Sequence, residues 1–237
     1  MKKALLLSLA VLLLAGAVLL QWGLDRTPAG TGSADTENFP AAYSLLDLFG
    51  GARQYLAFTY YIKTDKLHHT YYGSFAQEAE LVPYFKLIAL LDPHYVSAYY
   101  VGAGIMEVLG KIDEAIAFTL QGIEANPEAG GLYYSLGDLY LLEKRYAQAR
   151  EAFEQAKQYD SEIVSRNTLL TAIAATCSAL GDKEGQRRAL MEKALYNQIR
   201  LFDKDNTLEE SKKILGLVNS ALNSAMSIEV EDEGEGG

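Results

Sequence analysis

The sequence predicts an all-α protein, a solenoid of antiparallel helix hairpins placed one after another. Apolar and small residues recur at spacings of three and four through the centre of the chain, which is the period of a helix face. Hydrophobic residues make up 49% and charged residues 22% of the chain, as in a packed globular protein. Turn-forming dipeptides divide the central region at equal intervals of 34 residues, which indicates an internal repeat. These dipeptides are Asp92-Pro93, Asn126-Pro127 and Asp160-Ser161.

Composition and charge exclude several classes of function. The chain has 237 residues, with 21 Lys and Arg against 31 Asp and Glu, and a formal net charge of −10. A nucleic-acid-binding protein needs a basic surface, so this balance excludes a nucleic-acid partner. One cysteine, Cys177, excludes an internal disulfide and a cysteine-based zinc cluster. The 16 tyrosines suit surfaces that are partly apolar and partly hydrogen-bonding.

The N-terminal segment, residues 1–26, is predicted to be a signal anchor that spans a membrane once. Lys2 and Lys3 precede an apolar run over residues 4–20, and the next four residues extend it to 21. At about 1.5 Å per residue this run is about 30 Å long, the thickness of a bilayer core. Trp22 lies where an interfacial aromatic residue is expected. The lysines predict a cytoplasmic N-terminus, with the rest of the chain on the periplasmic side of the inner membrane.

A cleaved signal peptide is the alternative interpretation of this segment. The small residues Ala15-Gly16-Ala17 offer a cleavage site, but the apolar run continues past them through residues 18–20, which favours an uncleaved anchor. Leu14-Ala15-Gly16 also resembles the start of a bacterial lipoprotein box, but Ala17 stands where the lipidated cysteine would be.

Polar segments are predicted to flank the helical domain. Residues 27–40 are rich in small residues and have no periodicity, which predicts a flexible linker. Residues 229–237 carry five acidic residues and three glycines, which predicts a disordered acidic tail. The helical domain is therefore predicted over residues 41–228.

The best repeats are predicted at residues 96–127 and 130–161. In the second of them, two stripes at helical spacing predict the two helices of one hairpin. Small residues within the stripes let the two helices approach closely, and Pro127 separates one hairpin from the next. The residues predicted to pack in this way are Tyr99, Tyr133, Leu136, Gly137, Tyr140, Ala149, Phe153 and Ala156.

This pattern resembles the tetratricopeptide repeat, in which an aromatic residue, a Leu-Gly pair and a Tyr mark the first helix and Ala and Phe mark the second. The resemblance implies a right-handed solenoid and, with the predicted anchor, a bacterial envelope protein. The unit at 96–127 departs from the pattern at Gly102, where the family has Leu, and at Thr119, where it has an aromatic residue. These departures predict looser packing in that unit.

Further helices are predicted on both sides of the two repeats. The stretches at 55–62 and 78–91 predict a hairpin that opens the array. Residues 164–180 and 184–198 predict another hairpin around Gly181-Asp182, and residues 207–226 predict an amphipathic helix. Two repeats bury too little surface alone, so these flanking helices are expected to complete the core.

The family resemblance implies a partner-binding groove lined by the first helix of each repeat. Tyr100 and Tyr134 are 34 residues apart, so they are expected to be neighbours along it. The alternative is that both tyrosines only pack beneath neighbouring helices. Glu107 and Asp138 would make the groove acidic, and it lacks the cations with which some family members bind a terminal carboxylate. The groove positions are Tyr100, Gly104, Glu107, Tyr134, Asp138, Leu141 and Thr168, followed by Ala172 and Ala175.

No catalytic constellation, cofactor motif or metal site is predicted. His68-His69 point about 100° apart on a helix and have no third ligand at a matching spacing. Cys177 lies among alanines and is expected to be a small buried side chain. The carboxylate pairs Asp113-Glu114 and Glu209-Glu210 are expected on solvated helix faces.

The functional hypothesis is a non-enzymatic, membrane-anchored scaffold or adaptor. The resemblance to envelope tetratricopeptide proteins implies envelope protein partners, bound as a peptide or helix in the groove during assembly of a pilus, secretion or surface-polymer apparatus. The alternative is a periplasmic chaperone-like or polysaccharide-binding module, since aromatic faces stack on sugar rings. The sequence leaves the oligomeric state open.

Overall fold

The computed structural model describes residues 40–71 and 78–228, with side chains at 50–67 and 78–228. These residues are all-helical, as predicted. The predicted anchor with Lys2, Lys3 and Trp22, the linker up to residue 39, the acidic tail and the side chains of His68-His69 lie outside the described residues. In the part that is described, no helix is both long and apolar enough to cross a bilayer.

Nine helices make up the described chain. They are α1 (Pro40–Tyr71), α2 (Val82–Leu91), α3 (Val96–Val108), α4 (Ile112–Ala125), α5 (Gly130–Leu142), α6 (Tyr146–Ala156), α7 (Arg166–Ala179), α8 (Lys183–Leu201) and α9 (Leu208–Met226). The described residues divide into two compact units, one up to Tyr60 and the other from Tyr61 onward. The described part of the first unit is the N-terminal portion of α1. The second unit contains α2 to α9 and the candidate site.

The opening helices differ from the prediction in their bounds. Helix α1 begins at Pro40, which was predicted to end the linker, and it continues to Tyr71 because residues 63–71 contain no proline to interrupt it. Helix α2 begins at Val82 rather than Glu78. Pro83 explains this start, because proline lacks an N–H and suits the first turn of a helix, where that donor has no partner.

Each hairpin closes with the same backbone turn. Gly110, Lys144 and Gly181 follow α3, α5 and α7, and all three have positive φ, at 73°, 57° and 73°. The next residue's N–H then reaches back to a carbonyl in the last helical turn: Lys111 N to Met106 O at 2.8 Å, Arg145 N to Tyr140 O at 2.8 Å, and Asp182 N to Cys177 O at 2.9 Å. This is the Schellman arrangement, which favours glycine at the left-handed position. Short turns of this kind make the two helices of each pair antiparallel.

The turns between hairpins contact each other across the 34-residue repeat. The Asn126 side-chain amide donates to Pro93 O and to Gly122 O, both at 2.9 Å, so the second turn is bonded to the first. Stacking adds a similar link one repeat later, where the rings of Tyr133 and Tyr159 lie 5.8 Å apart and nearly parallel. These contacts fix the spacing of successive hairpins.

Aromatic rings pack where glycines leave space between helices. A Cβ added to Gly102 would lie 2.8 Å from the ring of Phe118 and 2.9 Å from Phe85. The unit at 96–127 is therefore tightly packed, and the looser packing expected from Gly102 and Thr119 is wrong. Phe118, one residue before Thr119, supplies the missing aromatic ring, while Thr119 is buried and donates its hydroxyl to Ala115 O.

Helices α8 and α9 begin with side-chain caps. Asp182 accepts from Gly185 N at the start of α8. At the start of α9, Thr207 accepts from Glu210 N while the Glu210 carboxylate accepts from Thr207 N, which is a capping box. Glu210 therefore has a structural role in this capping box, whereas the sequence predicted only a solvated side chain.

Candidate functional site

Helices α3, α5 and α7 lie side by side in the second unit, since α3 contacts α5 and α5 contacts α7. They are the first helices of three successive hairpins, so residues at equivalent positions come together on one surface. The predicted groove residues all lie on these helices. We call the part formed by Tyr100, Glu107, Tyr134 and Asp138 the tyrosine–carboxylate cluster.

The four side chains of this cluster are half-buried and act on each other electrostatically. Burial raises the pKa of Tyr134 to about 12, with further contributions from the charges of Asp138, Tyr100 and Glu107. Burial also raises the pKa of Tyr100, and Asp138 and Glu107 add to that effect. Both tyrosines are therefore neutral at physiological pH and present hydroxyl groups that donate and accept hydrogen bonds.

The two carboxyl groups of the cluster lie in an environment that disfavours their charge. Burial raises the pKa of Asp138. Burial and then the charge of Asp138 raise the pKa of Glu107. No basic side chain contributes to either shift within the described chain. A half-buried pair of like charges without a counter-charge attracts a cationic group.

The other predicted groove residues play different parts. A Cβ at Gly104 would meet nothing within 4 Å, so this position leaves open space beside Tyr100 and Glu107 on α3. Leu141 packs against the core formed by α6 to α8. Thr168 is exposed and belongs to the N-cap of α7, where its N–H donates to Ser165 Oγ at 3.1 Å. Ala172 is half-buried and Ala175 exposed.

Tyr134 has features of both interpretations that the sequence left open, which are packing beneath a neighbouring helix and a position in the groove. Its ring packs 5.5 Å from the ring of buried Phe153, so part of the side chain belongs to the core. It also lines a cavity of about 640 Å³ between α5, α7, α8 and the irregular segment 157–165. Tyr100 and Tyr134 interact electrostatically, as neighbours do. The assignment of these residues to partner binding stays a prediction.

The residues predicted to pack within the repeats lie at the interface of α5 and α6, except Tyr99, which lies on α3. Gly137 faces Phe153, and a Cβ there would lie 2.5 Å from the Phe153 ring. Phe153, Ala149 and Ala156 are buried, as are Tyr99 and Leu136. The Tyr133 hydroxyl donates to Pro127 O at 3.0 Å, and the Arg145 guanidinium lies 4.3 Å from the centre of the Tyr140 ring.

The remaining residues singled out in the sequence are buried in the core or form ion pairs. Cys177 is buried in the core around Phe153, and burial raises the pKa of its thiol. Glu114 forms an ion pair with Lys86, and Glu209 forms one with Lys213 at 3.0 Å. Among the described side chains, no three His, Cys, Asp or Glu are grouped so that they could hold a metal ion.

The cavity beside Tyr134 was not predicted from the sequence. Its wall includes Tyr159, Arg166 and Tyr196. Arg166 is held there by bonds to Lys157 O at 2.7 Å and Glu192 Oε1 at 2.8 Å. These residues lie in an irregular segment and on two different helices, so no spacing in the sequence brings them together.

Repeated helix hairpins with a shared face on their first helices define a helical-repeat protein. Residues 131–163, which contain α5 and α6, match the family model of the tetratricopeptide repeat. The chain therefore carries a tetratricopeptide repeat at these residues, and the resemblance read from the sequence is confirmed there. The match covers this one repeat.

Solved structures of other proteins resemble the chain at low identity. YrrB, described as a TPR protein with an unusual peptide-binding site, is 16% identical over 58% of this chain and 74% of that one, with a TM-score of 0.41. A MamA protein is 16% identical over 70% and 86%, with a TM-score of 0.48. MamA from Desulfovibrio magneticus RS-1 is 15% identical over 73% and 97%, with a TM-score of 0.47. No curated protein sequence matches the chain.

Proposed function

We propose that this protein is a membrane-anchored scaffold that holds a partner protein on the face formed by α3 and α5, and that it serves the assembly of a bacterial cell-envelope machine. The tetratricopeptide repeat supports the general role, since such repeats act as protein-interaction modules. The apolar run at residues 4–20 supports the anchor and the envelope location.

The observation that carries the proposal is the tyrosine–carboxylate cluster. Tyr100 and Tyr134 place two large amphipathic side chains side by side, and residues of this type are enriched at the centres of protein interfaces. Open space at Gly104 allows a partner backbone or side chain to approach α3. The cavity next to Tyr134 adds a recess into which a partner side chain fits.

Charge defines the kind of partner that fits this face. Glu107 and Asp138 share a half-buried site, and each is harder to ionise there than in water. A lysine or arginine from a partner relieves that cost by pairing with them. The partner is therefore a peptide or helix that presents a basic side chain between apolar or aromatic residues.

Co-purification from detergent-solubilised membranes tests the proposal. We expect the full-length protein to capture a defined set of envelope proteins, identified by mass spectrometry. Tyr100→Ala with Tyr134→Ala is expected to weaken capture by about thirtyfold per residue, since interface aromatics contribute about 2 kcal/mol each. Tyr55→Ala removes an exposed tyrosine from α1 and is expected to leave capture unchanged.

The outcomes separate the competing assignments. Normal capture with early melting in the double variant would assign both tyrosines to the core. Loss of capture in Tyr55→Ala would move the binding face to α1. Unrelated unfolded clients, or bound glycans alone, would replace the scaffold with a chaperone-like or polysaccharide-binding module. A protease added to the outer side of the membrane is expected to digest the chain beyond about residue 27, and protection would contradict the proposed topology.

A further inference from the structure

The cavity of about 640 Å³ beside Tyr134 combines buried apolar residues with exposed carboxylates. Ala156 and Leu169 line it and are buried, whereas Asp160 and Glu162 line it and are exposed. We call Asp160 and Glu162 the rim carboxylates. Three half-buried tyrosines complete the aromatic part of the lining: Tyr134, Tyr159 and Tyr196. Ligand pockets have volumes of about 300–1,000 Å³, so this cavity accommodates a partner side chain with its adjoining backbone.

Two of the tyrosine rings are held in place by aromatic neighbours. The Tyr134 ring lies 5.5 Å from the ring of Phe153, and the Tyr159 ring lies 5.8 Å from that of Tyr133 and nearly parallel to it. A wall that is already ordered loses little conformational freedom when a partner binds.

The basic side chains nearest to the cavity in the sequence are paired within the chain. Arg166 is the one basic residue in the described lining, and its Nη2 lies 2.8 Å from Glu192 Oε1. Lys157 lies 2.6 Å from Glu192 Oε2 and 4.0 Å from Glu154. These two cations and two carboxylates balance each other.

The rim carboxylates have no such counter-charge. Neither Asp160 nor Glu162 forms an ion pair within the described chain. Helices α3, α5 and α7 contain no lysine or arginine except Arg166. The tyrosine–carboxylate cluster, which shares Tyr134 with the cavity, adds two further carboxylates. This charge distribution favours a cationic group from a partner and disfavours an anionic one.

The chain itself places arginines over tyrosine rings. The guanidinium of Arg145 lies 4.3 Å from the centre of the Tyr140 ring, and that of Arg200 lies 5.7 Å from the centre of the Tyr196 ring. A guanidinium group is planar and weakly hydrated, so it stacks well on an aromatic face. Because Arg200 repels a second cation from the Tyr196 end, an incoming guanidinium is drawn towards Tyr159, which precedes Asp160 in the chain.

We propose that this cavity binds an arginine side chain of the partner, with its carbon stem against Tyr134 and Tyr159 and its guanidinium paired with the rim carboxylates. The inference rests on the proposed function, because the cavity adjoins the partner-binding face at Tyr134. It gives the partner a second basic residue, separate from the one that pairs with the tyrosine–carboxylate cluster. An uncharged aromatic or aliphatic side chain would fill the cavity without using the rim carboxylates.

The first experiment compares two peptides on the full-length protein in detergent by saturation-transfer NMR. Each is a five-residue alanine peptide with blocked ends and a central arginine or its uncharged analogue citrulline. We expect the arginine peptide to bind at least about tenfold more tightly. Asp160→Asn with Glu162→Gln is expected to reduce this preference to less than about threefold. Asp113→Asn with Glu124→Gln changes two exposed carboxylates of α4 by the same charge and is expected to retain the full preference. Equal binding of both peptides to the wild type, or an undiminished preference in the rim variant, would overturn the inference.

The second experiment separates the cavity from the tyrosine–carboxylate cluster. Glu107→Gln with Asp138→Asn is expected to leave the arginine preference within about threefold of wild type. Loss of the preference in this variant alone would place the arginine at the cluster, which overturns the inference but leaves the proposed function standing. Failure to capture envelope proteins, with the arginine preference intact, would instead contradict the proposed function alone. Circular dichroism of each variant checks that its helices are intact.

Discussion

The ring of Phe153 occupies the space that a side chain at residue 137 would need. A Cβ on Gly137 would lie 2.5 Å from Cε1 of Phe153, whose side chain is completely buried. The ring belongs to α6 and the glycine to α5, so this contact sets how closely the two helices of the repeat approach. Phe153 belongs to the same buried core cluster as Leu170 and Ala149, and protein cores of this kind are close-packed.

Substitution of Gly137 is therefore expected to destabilise the protein. Gly137→Ala should lower the free energy of unfolding by about 1–3 kcal/mol because it overpacks the contact with Phe153, and Gly137→Leu should cost more. Gly216 in α9 is the matched control, since a Cβ there meets nothing within 4 Å. Gly216→Ala should stabilise by up to about 1 kcal/mol through helix propensity. Urea denaturation measures both, and an unchanged midpoint for Gly137→Leu would contradict the helix pairing.

Lysine at position 144 is expected to make the protein less stable than glycine would. It has a φ of 57° where the equivalent turns have Gly110 and Gly181. Relief of left-handed strain, about 1–2 kcal/mol, exceeds the entropy that glycine costs, about 0.5–1 kcal/mol. Lys144→Gly should therefore raise the melting temperature, whereas Gly110→Lys should lower it. A lower melting temperature for Lys144→Gly would show that its side chain makes a stabilising contact.

Tyr99 buries a hydroxyl group for which the described chain offers no hydrogen-bond partner. Burial raises its pKa to about 12, with a smaller contribution from Asp92. An unsatisfied buried polar group costs about 1–3 kcal/mol. Tyr99→Phe keeps the ring contact with Phe118, whose centre is 4.9 Å away, and should leave stability equal or higher. Tyr99→Leu loses ring volume and should destabilise, and calorimetric melting of both variants separates the hydroxyl from the ring.

The tyrosine–carboxylate cluster predicts an unusual dependence of stability on pH. The pKa values of Asp138 and Glu107 are higher in the folded protein than in the unfolded chain, so the folded state binds more protons between these values. Their contribution to stability is therefore greatest below the unfolded pKa values, about 4, and is lost as pH rises through the folded ones. Asp138→Asn should raise the melting temperature at pH 7 and change it little near pH 4. A partner with a basic side chain should bind this variant more weakly, which distinguishes a binding role from a structural one.

Asn126 is expected to couple two successive hairpins. Its amide group donates to Pro93 O and Gly122 O at 2.9 Å. Asn126→Ala should destabilise by about 1–2 kcal/mol, because two hydrogen bonds of about 0.5–1.5 kcal/mol each are lost and water replaces part of them. Asn126→Asp keeps the size but removes the donor, so it should destabilise at least as much. Hydrogen exchange should show faster opening at the Pro93 turn, and unchanged exchange there would mean that the bond does not couple the hairpins.

The helices of this protein could be predicted well where the sequence contains local signals. The dipeptides at 92, 126 and 160 all fall between hairpins, and Gly181-Asp182 marks the turn between α7 and α8. Local signals also misled where they were incomplete. The Asp160-Ser161 turn is part of a longer irregular segment, 157–165, which no glycine or proline announces.

The contacts between helices could be predicted only in part. The family pattern placed Gly137 against its partner helix, but it did not indicate that Phe118 replaces the expected aromatic residue at 119. A shift by one residue moves a side chain about 100° around the helix axis. Whether a ring fits at position 118 or at position 119 depends on the packing at Phe85 and Gly102. The cavity beside Tyr134 depends on three separate segments, so its shape follows from tertiary packing alone.

The glycines that accommodate aromatic rings make each hairpin specific for its position in the array. Gly102 receives Phe85 from the preceding helix as well as Phe118 from its own hairpin, and Gly122 receives Tyr99 while also touching Leu132 of the following helix. Each hairpin is thus shaped for the neighbours it has. Moving or duplicating one hairpin would bring an aromatic ring against a residue that has a side chain. The order of the hairpins is therefore fixed by which positions are glycine and which carry a ring. Gene rearrangements that preserve the 34-residue period are therefore still expected to impair folding.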